Sequence, residues 1–224
     1  MEPDLSVIIP AYNEADRIGK TLTALSRLNH VTEIIVVDDG SRDETVTVAQ
    51  AMADRVIRME QNKGKGYALE VGWRESAGSV IAFLDADLGE TATLATGLIE
   101  PVLLNHCDMT IATFPPAETK GGFGLVKGLA DQGVRRLTGY RISAPLSGQR
   151  VLKRRLLETV SPLAYDFGIE ISLTVQALRH GFRICEVPLA FRHRESGRDW
   201  QGFVHRGKQF VDISRTLYRL WRTT

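Results

Sequence analysis

Three short apolar runs, each followed by a polar cluster that carries carboxylates, constrain this chain more than any other feature. Residues 5–10 (LSVIIP) lead into Tyr12-Asn13-Glu14, residues 33–37 (EIIVV) into Asp38-Asp39-Gly40-Ser41, and residues 79–84 (SVIAFL) into Asp85-Ala86-Asp87. Runs this short and rich in Val and Ile read as strands buried on both faces. Between them the period changes. Ile18, Leu22 and Leu25 recur at helical spacing within 14–28, a second helix capped by Ser41 or Asp43 runs to about Ala53, and 66–77 reads as a third. A short strand is expected at 55–59. Strands alternating with helices mean βαβ units and a mostly parallel sheet. Ligands of such sheets sit beyond the carboxyl ends of the strands, which is where all three clusters fall.

The second half is less regular. It predicts a strand over 107–112, a loop over 115–124 (PPAETKGGFG), a helix to about Thr138, a helix over 168–179 and a strand over 183–191. No repeat or low-complexity segment interrupts it, so 224 residues predict one catalytic body, 1–199, and an appended helix, 200–224. No apolar run approaches the roughly 20 residues that span a bilayer. The start, Met-Glu-Pro-Asp, lacks the basic and apolar regions of a leader, and two cysteines cannot frame a disulfide scaffold. A cytoplasmic protein is expected. The net charge of +1 hides an asymmetry: residues 192–224 hold eight Lys/Arg and three Asp/Glu, the rest twenty basic and twenty-four acidic residues.

Each cluster alone has two readings. Asp85-x-Asp87 can bridge a divalent ion to a diphosphate, or be two solvated turn residues. Asp38-Asp39 can meet a base N–H or ribose hydroxyls, or be a turn and helix cap. Residues 62–68 (NKGKGYA) open a helix whose N-terminus, with Lys65, favours anions, or form an ordinary glycine-rich turn. No G-x-G-x-x-G follows a strand, and Gly19-Lys20-Thr21 is no P-loop, because Glu14 stands where its first glycine belongs.

Together, Pro10-Ala11-Tyr12-Asn13-Glu14, Val37-Asp38-Asp39-Gly40-Ser41-x-Asp43-x-Thr45, Asn62-x-Gly64-x-Gly66-x-Ala68 and Asp85-Ala86-Asp87 resemble, in order and spacing, the family-2 nucleotide-sugar glycosyltransferases. The resemblance covers about residues 4–110. It implies a Rossmann-like α/β fold (the glycosyltransferase A fold), a mostly parallel central sheet flanked by helices, a nucleoside-diphosphate sugar donor, and Mg²⁺ or Mn²⁺. It places Pro10, Ala11, Tyr12 and Glu14 around the base and ribose, with Asp39 bonding one of them. Lys65 lies near the phosphates or base, and Asp85, Ala86 and Asp87 at the metal and ribose. The physical logic agrees: cleaving the sugar from its diphosphate leaves negative charge that a metal and nearby cations stabilise.

Residues 144–157 and 167–171 resemble glucosyl-3-phosphoglycerate synthases. Glu170, Gly181 and Glu186-Val187-Pro188 are shared with polyprenyl-phosphate sugar synthases. The two relatives differ in acceptor and stereochemistry, so a small phosphorylated molecule and a lipid-linked phosphate both stay open. Phe123-Gly124-Leu125 after Gly121-Gly122 departs from the first relative, which carries an arginine and a threonine there. The resemblance puts His193 in the place of a third metal ligand, makes Asp166 and Glu170 candidates to take an acceptor proton, and lets Gly148 bring backbone close to the sugar. UDP-glucose or another UDP-sugar is the favoured donor, GDP-mannose the second. A nucleotidyltransferase and a non-catalytic nucleotide or lipid-carrier binding module are the competing classes.

In the tail, Phe203, Phe210, Ile213, Leu217, Leu220 and Trp221 form one helical stripe, and Lys208, Asp212, Arg215, Arg219 and Arg222 another. That is an amphipathic helix with a basic face. It is expected to pack on the catalytic body or a second subunit, or to touch anionic membrane peripherally. No nucleic-acid-binding module accompanies the charge.

Overall fold

The computed structural model describes residues 4–114, 124–164, 168–191 and 200–223, with side chains in the final helix described from Phe210 onward. Asp166, His193 and most of the expected loop 115–124 lie outside the described residues.

Seven strands make one sheet: β1 (Leu5–Ala11), β2 (Val31–Asp38), β3 (Arg55–Arg58), β4 (Val80–Phe83), β5 (Met109–Thr113), β6 (Arg150–Lys153) and β7 (Ile184–Pro188), in the order β3-β2-β1-β4-β6-β5-β7. Only β6 runs antiparallel to its neighbours. The helices are α1 (Ala15–Leu25), α2 (Thr45–Gln50), α3 (Lys65–Glu75), α4 (Thr96–Leu103), α5 (Gly124–Thr138), α6 (Arg154–Val160), α7 (Ile169–Arg179) and α8 (Trp200–Arg222). The mostly parallel α/β architecture expected from the sequence is present.

Successive side chains along a strand point to opposite faces, and here both faces are packed. Ile8, Ile35, Val37, Ile81 and Phe83 join one core with α3, α5 and α7 residues, while Val7, Ile9, Val36, Val80 and Ala82 join another with α1 and α4 residues. Hence the first half reads as continuous apolar runs rather than alternation.

Strand β6 and helices α4 and α6 add to the expected elements. Because β6 is reversed, its beginning lies at the rim where β4 ends: Phe83 pairs with Arg150 and Val80 with Lys153. The residues just before β6 therefore reach the same rim as the carboxylates after β1, β2 and β4.

Helix α8 packs on α5 and α7, and Ile213 and Leu220 belong to the main core. Its rotation differs from the expected one. Asp212, of the polar stripe, is buried with Thr216, whereas Phe210 and Trp221, of the apolar stripe, are 44% and 65% exposed. The reason is close approach between helices: a Cβ at Gly168 would stand 2.0 Å from Thr216 Oγ1, so the Thr216 side of α8 rests on the start of α7.

Candidate active site

The loop after β1 is built by its neighbour. Asn13, at a positive φ of 55°, donates its N–H to Ser41 Oγ at 2.9 Å, and its Oδ1 accepts the N–H of Arg42 at 2.9 Å. Glu14 N–H donates to Thr45 Oγ1 at 2.8 Å and Ala15 N–H to Asp43 Oδ2 at 3.2 Å. The first N–H groups of a helix need outside acceptors, and here Asp43 and Thr45 serve α1 from the following unit. Asp43 also accepts from Thr45 N–H. Burial works against its charge, but the hydrogen bonds from Thr45 and Ala15 outweigh it and hold the carboxyl below its ordinary pKa. Ser41, Asp43 and Thr45 thus shape the Tyr12–Glu14 loop. Tyr12 stays 44% exposed at its rim and Ala11 is buried beneath.

Asp39 joins β1 to the glycine-rich turn. Its N–H donates to Ala11 O at 2.8 Å, and its two carboxylate oxygens accept the N–H groups of Lys63 and Gly64 at 2.7 and 2.8 Å. Gly64 takes φ 93°, a conformation that favours glycine. Asp39 itself is thus the anion seated at the opening of α3. Asp38 is fully buried and accepts the Ser41 N–H.

Lys65, the first residue of α3, projects to the end of β4. Its Nζ lies 2.7 Å from Asp85 Oδ1 and 3.5 Å from Glu170 Oε1, in the first turn of α7. Burial pushes the ammonium pKa down, but Asp85 and then Glu170 outweigh that and hold it above its ordinary value. Gln149 grips Asp85 from the other side: its Nε2 donates to Asp85 Oδ2 at 2.5 Å and its Oε1 accepts the Asp85 N–H at 3.0 Å. A Cβ on Gly148 would stand 2.3 Å from Lys65 Nζ and 3.4 Å from both Asp85 oxygens. A side chain at 148 would push the Lys65 ammonium from this position.

The rim therefore unites Lys65, Asp85, Gly148 and Glu170, from both halves of the chain. Asp87 and Ala86 follow Asp85 directly; Ala86 is buried, and its carbonyl accepts Thr21 Oγ1 at 2.8 Å. Pro10 and Glu14 are partly buried on the β1 side. The sequence attaches no role to Gln149 or Arg150. Their signal was a polar pair directly after Gly148 and before Val151, legible as site residues only once β6 is known to be reversed.

A Rossmann-like sheet with a lysine-bridged carboxylate set beyond β4 has the layout of the glycosyltransferase A fold. Solved structures share it: glucosyl-3-phosphoglycerate synthase from Mycobacterium tuberculosis, in complex with Mn²⁺, UDP and glucosyl-3-phosphoglycerate, superposes with a TM-score of 0.81 at 26% identity, over 97% of this chain and 80% of that one. The pattern defining glycosyl transferase family 2 matches residues 6–160, and the chain belongs to that family. Dolichol-phosphate mannosyltransferase from Pyrococcus furiosus is 30% identical over 97% of this chain; the match spans 64% of that protein's length. Polyprenol monophosphomannose synthase from Mycolicibacterium smegmatis is 30% identical over 85% of this chain and 78% of its own. Among the described residues, no helix is long and apolar enough to cross a membrane.

Proposed function

We propose that this chain moves a hexose from a nucleoside-diphosphate sugar, a UDP-sugar before GDP-mannose, to a phosphate-bearing acceptor. The observation that carries the reading is Lys65, held between Asp85 of a nucleotide-sugar half, about 1–110, and Glu170 of an acceptor half, about 111–199. In this reading Pro10, Ala11, Tyr12, Glu14 and Asp39 enclose the nucleoside, and Lys65 turns toward the diphosphate when the donor enters. A cation beside a leaving diphosphate stabilises the charge that develops on it.

Two hard carboxylates two residues apart suit Mg²⁺ or Mn²⁺, which prefer oxygen ligands. Both oxygens of Asp85 already carry hydrogen bonds, to Lys65 and Gln149. Among the described residues no three acidic, His or Cys side chains gather as a metal cage. That donor set fits an ion shared with the diphosphate, with Asp87 as its principal protein ligand, Asp85 beside it and His193 completing the set. The ion would supply further neutralisation of the leaving group.

Glu170 bears on the acceptor. Its carboxylate faces the Lys65 ammonium at 3.5 Å, and a phosphate oxygen, already ionised, needs no general base. The pairing therefore supports a phosphate nucleophile, with Glu170 and Asp166 orienting it. The outward face of α8 supports a lipid-linked one. Phe210, Tyr218 and Trp221 are exposed beside Arg215, Arg219 and Arg222, and Asp212 is turned inward, a face suited to an anionic bilayer surface. The division into a body, 1–199, and a peripheral helix, 200–224, belongs to the same proposal.

The test is transfer from labelled UDP-glucose and GDP-mannose to polyprenyl monophosphate or 3-phosphoglycerate, with Mn²⁺, for the parent and Asp87→Ala. The reading expects transfer by the parent and its loss, over a hundredfold, in a variant with unchanged circular dichroism. Near-parental turnover by folded Asp87→Ala rejects the site.

A further inference from the structure

The largest fully buried side chain among the described residues is a cation. Arg150 is 1% exposed, at the first position of β6. Its guanidinium has no carboxylate within ion-pair distance among the described residues. It is solvated instead by neutral oxygens: Nε donates to Ser147 O at 2.8 Å, Nη2 to Pro145 O at 3.0 Å and Nη1 to Thr174 Oγ1 at 2.8 Å. Thr174 Oγ1 in turn donates to Glu170 O at 2.7 Å. Burial lowers the guanidinium pKa to about 10, and the more distant charges of Glu170 and Glu186 oppose that.

Burying a charge without a paired counterion is costly, and an apolar residue could fill the same volume at lower cost. The fork does something an apolar residue cannot. Two of its arms close the turn 145–147, which is held at its other end by Glu186, whose Oε1 accepts from Ser143 N–H, Ser143 Oγ and Ala144 N–H at 2.8, 2.7 and 3.1 Å. The next two residues are Gly148, against Lys65, and Gln149, on Asp85. The third arm ends on Thr174 of α7, one helical turn beyond Glu170.

We propose that Arg150 is a positioning residue. It ties the turn that carries Gly148 and Gln149 to the helix that carries Glu170, and so sets the two carboxylates around Lys65 at their spacing. Lysine cannot replace it, because a single ammonium does not reach three acceptors in a fixed fork. The inference rests on the proposed transferase reading only for its effect on turnover; the geometry around Lys65 exists without substrate.

The test therefore has a readout that needs no substrate. Limited acetylation of the full chain, followed by peptide mass spectrometry, gives the rate at Lys65 relative to exposed Lys20. The variants are Arg150→Lys and Thr174→Val; the latter keeps the guanidinium and its bonds to the turn and removes the arm to α7, together with the Thr174 Oγ1 bond to Glu170 O. Both are expected to label Lys65 at least fivefold faster relative to Lys20 at a temperature where circular dichroism shows each variant folded, Arg150→Lys melting lower because it leaves buried carbonyls unpaired. Transfer by the same variants should lose about tenfold in kcat with donor KM within about twofold. If folded Thr174→Val and Arg150→Lys label Lys65 at the parental ratio, the proposal is wrong, whatever their activity. Absence of transfer by the parent would overturn the transferase reading and leave the labelling result to decide this one.

Discussion

Lys65 keeps two carboxylates from different halves of the chain within 3.5 Å of one nitrogen, and the neighbouring residue without a side chain makes that possible. Replacing Gly148 by alanine puts a methyl group against the ammonium, the movable end of a long side chain, which shifts to relieve it. Gly148→Ala should weaken UDP-sugar binding about tenfold, on the order of 1.4 kcal/mol, with little change in melting temperature. Calorimetric titration checks this, and parental affinity would mean that Lys65 does not meet the donor. The resemblance made Gly148 visible as a place where backbone approaches the sugar, with a plain turn as the alternative. It could not show that the approaching partner is Lys65, since 82 residues separate them and the reversal of β6 brings them together. Arg150 was hidden for a related reason. A charged residue at the head of a four-residue strand reads as a surface position, and only the carbonyls of the preceding turn make its burial tolerable.

Among the elements, the apolar runs of β1, β2 and β4 were legible because both their faces are buried, so no polar residue breaks the pattern. The orientation of α8 was not. Periodicity divides a helix into stripes, but the body chooses which stripe it covers, and here the close approach of Thr216 to Gly168 turns Asp212 inward and Phe210 and Trp221 outward. Tryptophan and tyrosine beside arginine suit the boundary between headgroups and acyl chains. Truncating the helix would expose Ile213 and Leu220 of the core, so substitution is the sounder probe. The parent should float with phosphatidylglycerol vesicles and Tyr218→Ser/Trp221→Ser should lose most of that flotation. Equal behaviour of the two proteins would remove the membrane role.

For the molecule as a whole, the far side of the sheet is fastened by one carboxylate. Asp108, 3% exposed at the start of β5, accepts from Lys153 at 2.9 Å, from Arg155, and from the side chain and N–H of Arg183. It thus ties β5, β6 and the entry to β7. Burial raises its pKa, but hydrogen bonds from Lys153, Arg183 and Arg155 outweigh that and hold the carboxyl well below its ordinary 3.8. A folded-state pKa below the unfolded value gives stability that is present above pH 3.8 and lost as pH falls below it. Asp108→Asn should therefore cost about 2–3 kcal/mol near neutral pH, discounted for the exposure of the two arginines. In urea titrations the gap from the parent should close below pH 3.8; a gap independent of pH would contradict this. At the opposite rim, in the proposed function, the ends of β1, β2 and β4 with Lys65 form a site for a nucleoside-diphosphate sugar that shares a divalent ion. Calorimetric titration of UDP-glucose into the full chain tests it most directly, with and without Mn²⁺. One site per chain is expected, tightened at least tenfold by Mn²⁺, a dependence that Asp87→Ala abolishes. Binding of equal strength with and without the metal, or no binding of UDP-glucose, GDP-mannose or their free nucleotides, would contradict it.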